Sequence, residues 1–192
     1  MGGNASLPYD TEIEYLDFGN NGTNAIDTNV VLSTYDITIK TKIYYSGYSS
    51  SGNYLSWFSA YTNEQSDTYR IIRNSNSNTQ VLVHNGTRSQ GQGTGVSVQL
   101  NTLYTIEIYP TYITMNNVQT VFDKNGHGNK NTGSMKLTRM RYYYFQVIKG
   151  NDIILDLIPV RIDTTGYMYD KVSKQLFANT GTGSFVLGPD KT

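Results

Sequence analysis

Apolar and polar side chains alternate with a period of two along most of this chain. In the segment 36–44 (DITIKTKIY), Ile37, Ile39 and Ile43 fall on one face and Thr38, Lys40 and Lys42 on the other. This pattern predicts an antiparallel strand with one buried face. No segment shows a capped apolar repeat of 3.6 residues, so we expect no helix of consequence.

The same alternation recurs at intervals of about ten residues. It predicts further strands over 11–18, 53–61, 68–74, 79–85, 95–100, 103–109, 112–117, 118–123, 140–150 and 152–162. Asn116-Asn117, Gly150-Asn151 and the segment DKVSK after Tyr169 have the composition of tight hairpin turns. Many short strands joined by such turns predict an all-β sandwich of two antiparallel sheets, and the form we expect is a jelly roll.

Composition limits the partners that the chain can have. Its 15 basic and 15 acidic side chains cancel, which disfavours nucleic acid and anionic membranes as partners. No apolar run is long enough to span a bilayer, and the first residues lack the pattern of an export signal. At 192 residues we expect one domain over 11–192, preceded by an extended arm over 1–10 that contains Gly2-Gly3 and Pro8.

Both ends of the sequence resemble one family. The segments LPYDTEIEYLDFGNNGTNAIDTNV (7–30) and YFQVIKGNDIILDLIPVRIDTTGYMYDKVSKQLFANTGTGSFVLGP (144–189) are similar to the opening and closing motifs of laminin-G-like, concanavalin-type jelly-roll domains of gut bacteria and their tailed phages. Those motifs read LP…IEYLE…GTQYIDTG and DFIPVR…GYMYDKVSGQLFGNSGTGDFILGP. The middle of the chain, about 36–138, matches only as a pattern of strands.

The resemblance implies roles for several residues at the two ends of the domain. It implies an opening strand with Ile13 and Tyr15 directed inward, and a closing hairpin whose turn Asp170 holds. We expect Gly181 and Gly183 to supply the backbone freedom that returns Phe185 to the core. The resemblance does not imply an enzyme.

Catalysis and metal binding have weak support in the sequence. Glu12 and Glu14 have the two-residue spacing of the paired carboxylates of glucanases, which makes a glycoside hydrolase a third and distant alternative. His84 and His127 stand without a second ligand at zinc spacing, and Asp27, Asp67 and Asp123 follow no calcium-loop signature. We therefore expect no catalytic residue, no metal and no cofactor.

The aromatic residues indicate one further candidate function, the binding of sugars. Sugar-binding proteins stack sugar rings on exposed aromatic side chains and fix the hydroxyls with polar groups. The candidate glycan site consists of Tyr54, Trp57, Tyr61, Tyr69, Arg70 and Arg73. The alternative is that Trp57 belongs to the core. The run 142–145 must also direct two of its four aromatic residues outward, where they could meet a neighbouring subunit.

The sequence thus favours a non-enzymatic surface module. The family resemblance and a composition rich in Asn, Ser, Thr and Tyr without an export signal predict a virion-exposed structural or decoration protein of a tailed phage. The module would dock onto other virion proteins through the arm, could hold host-surface or mucus glycans, and is expected to form a homo-oligomer. The alternative is a secreted or cell-surface carbohydrate-binding or adhesion module of a bacterium.

Overall fold

The computed structural model describes residues 7–19, 22–32, 37–46, 54–61, 68–74, 80–86, 92–121 and 134–192. Between residues 54 and 97 it describes the backbone, together with the side chains of Trp57, Phe58 and Ser59. In this part of the chain there are seventeen strands in two antiparallel sheets, so the predicted all-β sandwich is confirmed. No helix long and apolar enough to cross a bilayer occurs among these residues.

The larger sheet contains eleven of the described strands. They are β1 (Thr11–Glu12), β2 (Leu16–Asp17), β4 (Ile37–Tyr45), β9 (Thr102–Ile108), β10 (Tyr112–Met115), β11 (Val118–Val121), β13 (Arg141–Lys149), β14 (Asp152–Ile162), β15 (Thr165–Asp170), β16 (Leu176–Phe177) and β17 (Val186–Leu187). Their order is β11-β10-β9-β4-β13-β14-β15-β16, with β1 paired to β14 and β2 paired to both β13 and β17. The two ends of the chain therefore lie side by side in one sheet.

The smaller sheet has six described strands in the order β3-β12-β5-β6-β7-β8. They are β3 (Ala25–Val31), β5 (Tyr54–Tyr61), β6 (Thr68–Asn74), β7 (Gln80–Gly86), β8 (Gln92–Ser97) and β12 (Ser134–Thr138). The alternation did not predict β3 or β12. Within β3 the positive φ of Asn29 interrupts the alternation, and Thr28 is buried although it is polar.

The main core lies between the two sheets. In β4 every second residue from Ile37 to Tyr45 is buried, as the alternation predicts. Phe58 of the smaller sheet meets Phe145 of the larger one edge to face, with ring centroids 5.1 Å apart. The hydroxyl of Tyr142 is within hydrogen-bonding reach of the carbonyl oxygens of Trp57 and Thr138, so a polar contact also joins the sheets inside the core.

The predicted hairpins are confirmed. Asn116 and Asn117 both have positive φ, 49° and 67°, as a tight two-residue turn between β10 and β11 requires. Gly150 has a φ of 58° between β13 and β14. In the DKVSK turn the Asp170 carboxylate accepts hydrogen bonds from the backbone amides of Val172 and Ser173, at 3.1 and 3.0 Å, and so holds the turn as expected.

One inward assignment is wrong. Ile13 is buried, but Tyr15 lies on the outer face of the larger sheet beside Arg141. The reason is that the opening strand is interrupted: β1 ends at Glu12 and β2 begins at Leu16, so the alternation shifts between them and Leu16 becomes the next buried residue.

The glycines of the last loop have a different role from the one predicted. Neither Gly181 nor Gly183 has a positive φ. A Cβ on Gly181 would lie 1.9 Å from the carbonyl oxygen of Thr23, and one on Gly183 would lie 2.5 Å from Oδ1 of Asn24. Glycine is required because this loop packs directly on the backbone before β3, and Phe185 then packs against Phe18 with centroids 4.5 Å apart.

A second, smaller apolar cluster lies on the outer face of the larger sheet. Ile158, Val160 and Tyr169 are buried there beneath Tyr9, Tyr167 and Leu176. Tyr9 meets Tyr169 edge to face at 4.9 Å, and the Asp10 amide donates to the carbonyl of Arg161 at 3.0 Å. The last two residues of the predicted arm are therefore bound to the domain, while Leu7 is 61 % exposed and residues 1–6 lie outside the described part.

Candidate functional site

The structure places Trp57, one of the predicted glycan-site residues, in the core. Trp57 has no exposed surface and packs against Tyr45 in the core, with ring centroids 5.6 Å apart, which agrees with the core alternative. A ring in this position offers no face for a sugar to stack on. Tyr54 and Tyr61 lie in β5, and Tyr69, Arg70 and Arg73 lie in the adjacent β6, but their side chains are outside the described part.

A different aromatic surface is exposed on the larger sheet. We call it the tyrosine face; it consists of Tyr15, Asp17, Lys42, Tyr44, Arg141 and Tyr143. All six side chains are partly exposed; Tyr15 directly precedes β2, and the other five residues lie on β2, β4 and β13. The register explains why they meet: Arg141 in β13 lies opposite Tyr44 in β4 on one side and opposite Asp17 in β2 on the other.

A β-bulge adds the third ring, that of Tyr143, to this surface. The register between β13 and β4 shifts between Tyr142 and Tyr144, so Tyr142 is buried while Tyr143 and Tyr144 are both partly exposed. This confirms the prediction that two of the four aromatic residues in 142–145 face outward. The Tyr143 ring lies 5.5 Å from that of Tyr15.

Arg141 organises the centre of the tyrosine face. Its guanidinium lies 4.2 Å from the ring centroid of Tyr15 and 4.8 Å from that of Tyr44. Its Nε and Nη2 donate to Oδ2 of Asp17 at 3.1 and 3.0 Å. Burial by itself would lower the pKa of Arg141, but the hydrogen bond to Asp17 and the charge of that carboxylate raise the pKa. The arginine is therefore a charged support whose Nε and Nη2 are already bound to Asp17.

Lys42 supplies the available charge. Its Nζ lies 5.2 Å from the centroid of the Tyr143 ring, and no carboxylate pairs with it in the described part of the chain. The next lysine on this strand, Lys40, instead pairs with Glu107 at 3.2 Å. The hydrogen bond from Tyr109 to Glu107 lowers the pKa of that carboxylate. The tyrosine face thus presents aromatic rings beside one unpaired cation.

The carboxylates proposed for a glucanase are engaged elsewhere or isolated. Glu12 accepts hydrogen bonds from the Tyr9 hydroxyl at 3.4 Å and from Lys191 at 3.3 Å. Glu14 is exposed, and its backbone amide donates to the carbonyl of Pro189. Between them Ile13 bridges to Asp190. The two glutamates border the junction of the chain ends.

The predicted metal candidates do not come together in the part that is described. Asp27 pairs with Lys136 at 3.5 Å, while Asp67, Asp123 and His127 lie outside the described residues. The backbone of His84 is in β7. Among the residues described there is no group of three side chains of the kinds that hold metal ions.

Sequence reasoning missed the tyrosine face because its residues come from three distant segments. Alternation alone places Lys42 outward, and the composition of 142–145 requires exposed rings. Only the pairing of β2, β13 and β4 brings Tyr15 and Arg141 to them. That pairing is a property of the sheet order, which short-range patterns do not contain.

Compared with models of known protein families, the sequence matches none, and a search of curated proteins finds no relative. The tyrosine face must therefore be interpreted from its own chemistry.

Proposed function

We propose that the protein is a non-enzymatic binding module whose sandwich is a laminin-G-like jelly roll and whose tyrosine face binds glycans. The observation that carries the proposal is the set of partly exposed rings of Tyr15, Tyr44 and Tyr143 around Arg141 and Lys42. A sugar ring has an apolar face that stacks on tyrosine and a polar rim that accepts hydrogen bonds from cationic donors.

The unpaired charge favours acidic glycans. Lys42 is free to form a charge-assisted hydrogen bond with a carboxylate or sulfate group of a sugar, whereas Arg141 is already bound to Asp17. Capsular polysaccharides with uronic acids and mucin glycans with sialic acid or sulfate have this chemistry. A rigid sheet that presents the rings needs little ordering on binding, which supports affinity at an exposed surface.

The setting that we propose is the surface of a tailed-phage particle, where the module would be a structural or decoration protein. The resemblance of residues 7–30 and 144–189 to phage-borne jelly rolls supports it. Docking onto other virion proteins would use the arm ahead of Tyr9, because Tyr9 and Asp10 are already bound to the domain. Homo-oligomerisation is part of the same proposal. Neighbouring capsid and tail genes would support this setting, and neighbouring polysaccharide-utilisation genes would favour a bacterial surface module.

Binding to immobilised capsular polysaccharides and mucin glycans tests the function. We expect Tyr143→Ala and Lys42→Gln each to weaken binding, and Lys42→Gln to act on acidic glycans alone. Tyr112→Ala and Lys149→Gln are matched controls, since Tyr112 is a partly exposed tyrosine of the same sheet and Lys149 an exposed lysine of β13. Binding by the wild type that Tyr143→Ala and Lys42→Gln leave intact would exclude the tyrosine face.

The glycan site predicted from the sequence is tested in the same assay. Tyr69→Ala and Arg70→Ala change β6 without touching the core residue Trp57. Loss of binding in these variants, with the tyrosine-face variants unaffected, would move the site to the smaller sheet. Absence of binding to every glycan by the folded wild type would refute the glycan function as a whole.

A further inference from the structure

A cleft that shares no lining residue with the tyrosine face lies at the edge of the larger sheet. It is about 260 Å³ in volume and opens between the start of β15 and the loop that follows β16. Its lining residues are Thr164, Thr165, Gly166, Tyr167, Ala178, Asn179, Gly183, Ser184 and Phe185. None of these side chains is charged.

One wall of the cleft is rigid because Asn179 is fully hydrogen-bonded. Its Oδ1 accepts from the backbone amides of Ala25 and Gly181, at 3.1 and 2.9 Å. Its Nδ2 donates to Oδ1 of Asn24 and to the carbonyl of Gly183, at 2.8 and 2.7 Å. The amide thus fastens the loop 179–183 to the segment before β3, and the cleft exists before any ligand arrives.

The opposite wall is an open strand edge. β15 pairs with β14 along its whole length, but with β16 only through Met168 and Tyr169. The backbone from Thr165 to Tyr167 therefore has no strand partner on the side of the cleft, within the part of the chain that is described. Such an edge can offer backbone donors and acceptors to a ligand.

The hydroxyl groups of the cleft are also unused. The side chains of Thr164, Thr165 and Ser184 form no hydrogen bond with any described residue, whereas Asn179 beside them is saturated. Tyr167 and Phe185 contribute partly exposed aromatic surface next to these hydroxyls. Free hydroxyls next to aromatic carbon, without charge, match a ligand that is itself polyhydroxylated and neutral.

We propose that this cleft is a second binding site, which takes a single neutral sugar ring. Its volume is below the roughly 300 to 1,000 Å³ of pockets for drug-sized ligands, which suits one ring rather than a chain. The site shares no residue with the tyrosine face and does not depend on the function proposed for that surface. A ring held here would pack on Tyr167 and Phe185 and exchange hydrogen bonds with Thr165 and Ser184.

An NMR titration of the full chain tests the proposal. The ligands are the methyl glycosides of glucose, galactose and mannose, together with glucuronic acid, and the amide chemical shifts are recorded at each concentration. We expect at least one neutral glycoside to shift the amides of Thr165, Gly166, Gly183 and Ser184 in a saturable way, with glucuronic acid weaker. Thr165→Val and Ser184→Ala should each raise the dissociation constant about three- to tenfold, the effect of one lost hydrogen bond. Thr120→Val, on the distant strand β11, is the matched control and should change nothing.

Ala178→Phe provides a variant that fills the cleft from an exposed position, so that folding is spared. It should abolish the saturable shifts, while Lys42→Gln and Tyr143→Ala should leave them unchanged. The proposal is overturned if no neutral glycoside shifts these amides at about 50 mM, a concentration above the millimolar dissociation constants of weak ligands. It is equally overturned if Ala178→Phe binds as the wild type does.

Discussion

Replacing Asp170 with alanine removes the acceptor on which the closing hairpin depends. The residue is only 2 % exposed, and its carboxylate accepts three backbone hydrogen bonds. Asp156 donates to Oδ1 at 2.8 Å from within β14, and Val172 and Ser173 donate from the turn at 3.1 and 3.0 Å. One side chain therefore joins the turn to the neighbouring strand.

The cost of Asp170→Ala follows from these contacts. A hydrogen bond to a charged group contributes roughly 1.5 to 3 kcal/mol, but the three contributions are not additive. Val172 and Ser173 are exposed, so their amides can bond to water in the variant, whereas Asp156 lies within the sheet. We expect Asp170→Ala to lower the free energy of unfolding by about 3 kcal/mol, which corresponds to about 6 to 12 °C in the melting temperature of a chain of this size.

The effect should depend on pH in a defined direction. Burial by itself would raise the pKa of Asp170, but hydrogen bonds from the Ser173 hydroxyl and from the amides of Asp156, Ser173 and Val172 outweigh it and lower the pKa. A carboxyl group whose pKa is lower in the folded than in the unfolded state stabilises the fold above its unfolded value, about 3.9. That contribution is lost as the pH falls below about 4 toward the folded pKa.

Urea unfolding measures both the loss of stability and its pH dependence. The wild type, Asp170→Asn and Asp170→Ala are compared between pH 7 and pH 3.5. The difference between the wild type and Asp170→Asn should be constant from pH 7 to about pH 5 and shrink below about pH 4. Asp152→Ala is the control, because Asp152 is exposed on the neighbouring strand β14. A loss below about 1 kcal/mol for Asp170→Ala, or a wild-type advantage that grows as the pH falls, would refute the reasoning.

Three further substitutions test how the two sheets and the last loop are joined. Gly181→Ala should destabilise the fold by more than about 2 kcal/mol, because its Cβ would lie 1.9 Å from the Thr23 carbonyl oxygen and the backbone would have to move. Gly150→Asn is the control and should be tolerated, since asparagine accepts the positive φ of that tight turn. Thermal melts of the two variants would show the contrast. Tyr142→Phe should cost about 1 to 3 kcal/mol in urea unfolding, because it removes the hydroxyl that links Tyr142 of the larger sheet to the carbonyls of Trp57 and Thr138 in the smaller sheet. An unchanged stability would contradict that role. Asn24→Ala should cost a similar amount and speed amide exchange in the last loop, since Asn24 donates to the carbonyls of Phe18 and Ser184.

The sequence was sufficient for the parts of the fold that short-range patterns encode. Ile37, Ile39 and Ile43 share a buried face because side chains alternate along a strand, and the Asn116-Asn117 pair accepts positive φ because asparagine tolerates it. Tyr15 could not be placed, because the break between β1 and β2 leaves no mark in the alternation. For the same reason Trp57 was ambiguous: the register shift between Ser56 and Phe58 lets Trp57 and Phe58, which are adjacent in sequence, both be buried.

The tyrosine face could not be read from the sequence for a further physical reason. Residues that form a surface on a sheet are neighbours across strands and can be far apart in the sequence. Here Asp17 and Arg141, which are hydrogen-bonded, are 124 positions apart. The aromatic residues that stand out along the chain, such as Trp57, stand out because they are large and apolar, which is also why they are buried. Tyrosine differs, because its hydroxyl can hydrogen-bond to water, so that partial exposure of the side chain costs little free energy. In a chain with 17 tyrosines and one tryptophan, tyrosines two residues from an outward-facing cation are therefore the better sequence signal for a binding surface. Tyr44 after Lys42 and Tyr143 after Arg141 meet that criterion, and Tyr15 joins them only through the pairing of the strands.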